Sequence, residues 1–277
     1  MGEVDPAFVQ DAQHRPKLAV IEAEGIPLID LSSANASNHV SQIADACKNW
    51  GFFQVINHGV PSESSRKIWD AARKFFALPV EEKRKVSRDE VNPFGYFDTE
   101  HTKNVRDWKE VFDFVVRTPA FGPASDDPDD KELIELTNRW PQYPPELREV
   151  CEEYARETEK LAFKLMGLIS LSLALGVGHH KDVGALTILA QDDVGGLEVK
   201  RKTDGEWVRV KPTPDAYIIN VGDIIQAWSN DTYESVEHRV ILNSERERFS
   251  IPFFFNPRAP SLGAALGGAD EGGKTKV

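Results

Sequence analysis

The chain changes texture near residue 185. Before that point, apolar residues recur three and four positions apart, the spacing that lines one face of a helix. HVSQIADACKNWG (39–51) sets Val40, Ile43, Ala44, Cys47 and Trp50 on one side and ends on Gly51, which predicts a helix with a glycine stop. SESSRKIWDAARKFFAL (62–78) predicts a second helix, opened by Ser62 and closed before Pro79. Residues 145–175 predict a long third one, with Leu147, Val150, Cys151, Tyr154, Leu161, Leu165 and Leu168 as its apolar stripe. IPLID (26–30) and FFQVINHG (52–59) read as extended segments, and DWKEVFDFVV (107–116) alternates like a strand. Residues 1–25 read as a loose polar arm with a short helix, 92–101 as a loop, and ASDDPDD (124–130) as an acidic, turn-rich loop.

From 185 onward short β-rich runs take over: ALTILA (185–190), LEVKR (197–201), WVRV (207–210), AYIINV (216–221), IIQAW (224–228), SVEHRVIL (235–242) and FSIPFFF (249–255). Turn signals at 204–205, 212–215 and 222–223 separate them. Short strands at this spacing, behind a helical first half, predict an α+β fold built on a sandwich or jelly roll. The small, Gly-rich C-terminal tail reads as disordered, and no internal repeat is visible.

A net charge of −12 over 277 residues gives no basic surface to displace counterions from a duplex, so nucleic acid is not an expected partner. Two cysteines without a spaced pair argue against a disulfide scaffold or structural zinc and favour a reducing compartment. The longest near-apolar run, 161–178, is interrupted by Lys164, Ser170 and Ser172, which argues against a membrane span. The N-terminus carries no apolar signal core. These features lead to the expectation of a cytoplasmic protein with neither nucleic acid nor a membrane as its partner.

Candidate chemistry starts at GVGHHKD (176–182). His180 and Asp182 stand two apart, so in extended chain imidazole and carboxylate share a face; His179 faces the other way. His238, in SVEHRV, supplies a third ligand from a later strand. Two histidines and one carboxylate make the facial triad that leaves coordination positions open on non-haem Fe(II). H-x-D alone is a weak pattern. Ten residues past His238 come Arg248 and Ser250, again two apart, a guanidinium and a hydroxyl suited to grip a carboxylate. The competing reading of Arg248 is a surface salt bridge within SERER (244–248).

H-x-D, the distant His and R-x-S together resemble the plant 2-oxoglutarate- and Fe(II)-dependent dioxygenases, which include flavonol and anthocyanidin synthases and gibberellin oxidases. IPLIDL and ACKNWGFFQVINHGVP (46–61) resemble the N-terminal region of that superfamily. The resemblance implies a double-stranded β-helix core flanked by N-terminal helices. It implies Fe(II) on His180, Asp182 and His238, and 2-oxoglutarate held by Arg248 and Ser250, with O2 consumed and ascorbate as reductant. Phe254 is the candidate substrate contact, Phe253 and Phe255 are core, and His58 belongs to the N-terminal signature as a structural residue. The reaction implied is hydroxylation or desaturation of a small plant metabolite, a flavonoid or hormone. An ascorbate-dependent Fe(II) oxidase and a catalytically impaired or non-catalytic metal-binding jelly roll are the alternatives. The boundaries drawn are 1–120 for the N-terminal region, 121–176 for helical support, 177–257 for the jelly-roll core and 258–277 for the tail. Where the family has further strands and an Asn-x-Tyr motif before H-x-D, this chain runs straight from helix to His180, and it ends in the Gly-rich tail. An incomplete jelly roll is therefore expected.

Overall fold

A computed structural model describes residues 21–22, 26–32, 36–99, 101–102, 105–116, 120–123, 132–173, 184–241 and 245–256. β1 (Ile21–Glu22) and β2 (Leu28–Asp30) lead into α1 (Ala36–Asn49), β3 (Phe52–Ile56), α2 (Ser62–Phe76) and α3 (Val80–Arg84). Three two-stranded ribbons follow: β4 (Gly95–Phe97) with β7 (Val111–Asp113), β5 (His101–Thr102) with β6 (Val105–Arg106), and β8 (Ala120–Pro123) with β9 (Leu133–Leu136). After α4 (Leu147–Leu173) come β10 (Leu186–Gln191), β11 (Leu197–Lys200), β12 (Trp207–Arg209), β13 (Tyr217–Val221), α5 (Asp223–Trp228), β14 (His238–Val240) and β15 (Ser250–Phe255).

Two sheets form the β core, one in the order β15-β10-β13-β3-β2 and one in the order β1-β12-β11-β14. The period-two alternation of β10 shows how they pack. Leu186, Ile188 and Ala190 join the large core beneath α1, α2 and α4, together with Ile43, Phe75, Leu165 and Ile169. Leu189 points the other way, into a smaller cluster with Phe52, Leu197, Val199, Val210, Ile218 and Val236 that fills the space between the sheets. The architecture is α+β with a jelly-roll core, and β2 and β3 from the first half of the chain belong to the same sheet as β10, β13 and β15.

α4 buries Leu147, Val150, Cys151, Tyr154, Leu161, Leu165 and Leu168, the stripe its sequence predicts. α1 stops at Gly51, whose φ of +66° suits glycine and whose amide bonds the carbonyls of Ala46 and Cys47. A Cβ there would come within 2.7 Å of the Glu234 carbonyl oxygen. Cys47 and Cys151 are free, buried thiols, each pushed up to about 12 by burial. None of the described helices is long and apolar enough to cross a membrane.

The structure corrects three readings. IIQAW is not a strand but lies in α5. Its Ile224, Ile225 and Trp228 fall at i, i+1 and i+4, a helical face that a short apolar run does not distinguish from a buried strand. Segments 92–101 and 107–116 are joined by the β4–β7 pair, with Tyr96 opposite Phe112. Of the arm 1–25, Ile21–Glu22 pairs in parallel with β12 rather than lying loose. The acidic loop at 124–130 and the tail at 258–277 lie outside the described residues.

A buried cation holds the first ribbon against the helices. Lys83, 5% exposed, donates to both Glu110 carboxylate oxygens at 2.9 and 2.7 Å and to the Phe76 carbonyl at 3.1 Å. The Tyr96 phenol also donates to Glu110, at 3.0 Å, and burial pushes its pKa well up. Lys83→Ala leaves Glu110 without its main partner, and because that carboxylate is partly hydrated the loss falls at or below the lower end for a fully buried ion pair. The expected cost is about 2–3 kcal/mol in unfolding free energy, read by urea denaturation.

Candidate active site

β10, β13 and β15 each present alternate side chains to the inter-sheet space, and pairing register identifies them. Gln191 lies opposite Ser250, Leu189 opposite Pro252, and Thr187 opposite both Phe254 and Asn220. Paired residues share a face, so Ser250, Phe254, Gln191, Thr187 and Asn220 line the inner wall. Ile251, Phe253 and Phe255 face α4, as expected for core residues, and Phe255 meets Phe163 edge-on. Phe254 is 68% exposed.

The facing sheet contributes His238. Its strand β14 pairs with β11, setting His238 opposite Val199 and Val240 opposite Leu197, and both of those β11 residues belong to the inter-sheet cluster. The His238 ring accordingly packs against Phe52 at 5.5 Å. Its Nδ1 lies 3.3 Å from the Val236 carbonyl, the placement that holds one nitrogen of a metal-ligating histidine and leaves Nε2 for an ion. On the outer face of the same strand, Arg239 bonds the fully buried Glu198 at 2.8 Å and stacks on Trp207. That contact fixes the register of the edge strand bearing His238. His180 and Asp182, with His179, lie outside the described residues, and among the described residues no three metal-binding side chains cluster.

Arg248 does not form the surface salt bridge that its SERER context allows. Arg246 takes that role, pairing with Asp193 at 2.9 Å. Arg248 instead donates from Nε to the Gly195 carbonyl at 2.7 Å, from Nη1 to Ser250 Oγ at 3.0 Å and from Nη2 to Gln191 Oε1 at 3.5 Å. All three acceptors are neutral, and among the described residues no carboxylate pairs with it. Desolvation consequently lowers the guanidinium pKa from its ordinary value, although the charge is retained at any physiological pH. Among the described residues, Asp192 is the one carboxylate whose charge opposes that desolvation, and it makes no hydrogen bond to the guanidinium. A half-buried cation hydrogen-bonded only to neutral groups, beside a hydroxyl, has the chemistry to take an anion. The turn that supplies Gly195 needs its second glycine too: a Cβ on Gly196 (φ +94°) would sit 2.9 Å from the Ile241 carbonyl oxygen.

His58 behaves as structural. Val60 N–H donates to its Nδ1 at 3.1 Å, so its Nε2 carries the proton and donates to the Asp215 carbonyl at 3.1 Å. With both nitrogens engaged and the ring against Tyr217, it has no lone pair for a metal. Burial lowers its pKa below the ordinary histidine value. Because the folded form binds the proton less readily than the unfolded one, its stabilisation is complete above about pH 6.5 and declines as pH falls below it. Thermal unfolding of wild type and His58→Gln across pH 5–8 should converge at the acid end.

Residues 26–143 match the family described as the non-haem dioxygenase in morphine synthesis N-terminal region, and residues 162–257 match the 2OG-Fe(II) oxygenase superfamily. Jasmonate-induced oxygenase 2 of Arabidopsis thaliana is 35% identical over 296 residues, covering 92% of this chain and 74% of that protein. The chain belongs to the 2-oxoglutarate/Fe(II)-dependent oxygenase superfamily. A bi-functional coumaroyl CoA and feruloyl CoA ortho-hydroxylase of Ruta graveolens is 33% identical over 282 residues, covering 88% of this oxygenase and 72% of the relative. The solved structure of JOX2 in complex with 2OG, Fe and JA superimposes with a TM-score of 0.74 at 33% identity, covering 93% of this chain and 80% of that one. A dioxygenase for auxin oxidation in rice gives 0.60 at 29% identity over 83% and 82%. Membership makes this oxygenase an oxidoreductase of the 2-oxoglutarate-dependent dioxygenase class.

Gln191, Thr187 and Asn220 are inner-wall residues that motif reasoning passes over. The alternation of LTILAQ puts Gln191 on the face opposite Leu186, Ile188 and Ala190, but it does not name the partner across the sheet.

Proposed function

We propose that the protein uses Fe(II), 2-oxoglutarate and O2 to hydroxylate or desaturate a small plant metabolite, a phenolic or hormone-type acid, as a cytoplasmic monomer with ascorbate as reductant. The observation that carries this reading is Arg248, a half-buried guanidinium with only neutral partners, on the wall facing the space into which His238 points. In this reading His180, Asp182 and His238 hold Fe(II), and Arg248 and Ser250 hold the distal carboxylate of 2-oxoglutarate. Bound together, metal and co-substrate supply the oxidising chemistry, and 2-oxoglutarate leaves as succinate and CO2. The protein's own work is placement. The Val236 carbonyl orients the His238 ring, the Glu198–Arg239 pair holds its strand, and Gly195 and Ser250 fix the guanidinium. Phe254, exposed on the same wall, is the proposed substrate contact.

The substrate class rests on the names of the relatives: an ortho-hydroxylase of coumaroyl and feruloyl CoA, an oxygenase bound with JA, and a dioxygenase for auxin oxidation. A panel of hydroxycinnamoyl CoA esters, jasmonate, an indole acid and a flavonoid, followed by mass spectrometry, tests it. One member should gain oxygen or lose two hydrogens in step with succinate formation; no product from any of them would sink this substrate class.

A second reading, impaired turnover, has its own observation. Among the described residues six strands follow α4, whereas a jelly roll has eight, and β14 and β15 each lie at a sheet edge. The alignment to jasmonate-induced oxygenase 2 runs over 296 residues while using 92% of a 277-residue chain, so the relative carries residues this chain lacks within the matched span. Binding of 2-oxoglutarate without succinate formation would favour this second reading.

A further inference from the structure

The hydrogen-bond pattern around Arg248 leaves several donors without a described acceptor. A guanidinium carries five N–H groups. Three of Arg248's have acceptors in Gly195, Ser250 and Gln191, which leaves one N–H on Nη1 and one on Nη2 without a described protein partner. Ser250 Oγ accepts from Arg248, so its own hydroxyl proton is free to donate outward. Gln191 is constrained in the same way. Arg248 has no acceptor, so the carboxamide must present Oε1 to it, and the Gln191 NH2 is turned away from the guanidinium. Gln191 and Ser250 are direct cross-strand partners, so the three side chains stand together on one wall.

We propose that Gln191 is a co-substrate-binding residue, its carboxamide NH2 donating to the distal carboxylate of 2-oxoglutarate beside Arg248 and Ser250. This rests on the dioxygenase reading of the site. An ionised carboxylate is acceptor-only, with room for about four hydrogen bonds. Two guanidinium N–H groups, one hydroxyl and one amide N–H match that capacity. Gln191 thus provides a third side-chain grip in a chain that has no Asn-x-Tyr upstream of His180. It is also a specificity element: a 2-oxo acid lacking the distal carboxylate has nothing to offer these donors.

Calorimetric titration of the full chain loaded with Mn(II), which fills the metal site without turnover, tests this. The probes are 2-oxoglutarate and 2-oxopentanoate, which keeps the 2-oxo acid and lacks the distal carboxylate. Gln191→Ala should weaken 2-oxoglutarate about tenfold, the loss of one hydrogen bond to a charged group, and leave 2-oxopentanoate within about twofold. Gln191→Glu, nearly isosteric, places an acceptor-only carboxylate against Arg248 and should weaken 2-oxoglutarate further still. Equal weakening of both probes by Gln191→Ala, or undiminished 2-oxoglutarate binding, overturns the proposal while leaving the dioxygenase reading intact. Undiminished 2-oxoglutarate binding in Arg248→Ala, or no binding by the wild type, overturns the dioxygenase reading and this inference with it.

Discussion

Arg248→Ala is expected to weaken 2-oxoglutarate binding by about 100- to 1,000-fold, the loss of a bidentate charge-assisted contact inside a partly desolvated site. The size follows from its surroundings. The guanidinium is fixed by Gly195, Ser250 and Gln191, so little side-chain freedom remains to be lost when an anion binds. Its hydrogen-bond partners are all neutral, so apart from the nearby Asp192 charge the guanidinium is not paired until that happens. Arg248→Lys should not restore affinity, because an ammonium cannot donate to Gly195 and face two carboxylate oxygens at once. Titration with 2-oxoglutarate reads both variants, and melting temperature within a few degrees of wild type separates lost binding from lost folding. A tenfold or smaller effect of Arg248→Ala would place the carboxylate elsewhere.

His238→Ala is expected to weaken Fe(II) binding by more than the roughly 100-fold upper range for changes outside the coordination shell. The side chain leaves a gap beside Phe52 but carries no other described contact besides the Val236 carbonyl, so the fold should survive. Glu198→Gln offers a graded comparison. It weakens the tie from β11 to Arg239 and should loosen the metal only within the about 10- to 100-fold outer-shell range, by letting β14 shift. Equilibrium dialysis against Fe(II) under nitrogen reads all three proteins. Equal iron binding by wild type and His238→Ala would remove this residue from the metal site.

Much of the fold was legible because helical burial leaves a periodic trace. The stripe from Leu147 to Leu168 and the stop at Gly51 predicted α4 and the end of α1. Legibility failed where pattern and context part. Ile224, Ile225 and Trp228 are few enough to suit strand or helix, and only the need to leave the sheet after Val221 decides for α5. The two-residue and three-residue ribbon strands are too short to show a period. The pairing of Arg248 with Ser250 was legible from their spacing, and the Nη1–Oγ bond shows the two side chains in contact. Gln191 was not, because its meaning depends on β15 pairing beside β10 with Ser250 in register, a long-range fact that local sequence does not carry. The sheet edges at β14 and β15 are likewise properties of topology.

Succinate formation from 2-oxoglutarate by the purified chain under air, with Fe(II) and ascorbate present, reads the proposed activity directly. Succinate should form, disappear when Fe(II) is chelated, and be absent in His238→Ala and Arg248→Ala. A chain that binds both Fe(II) and 2-oxoglutarate yet forms no succinate, with or without the substrate panel, would contradict the proposed activity.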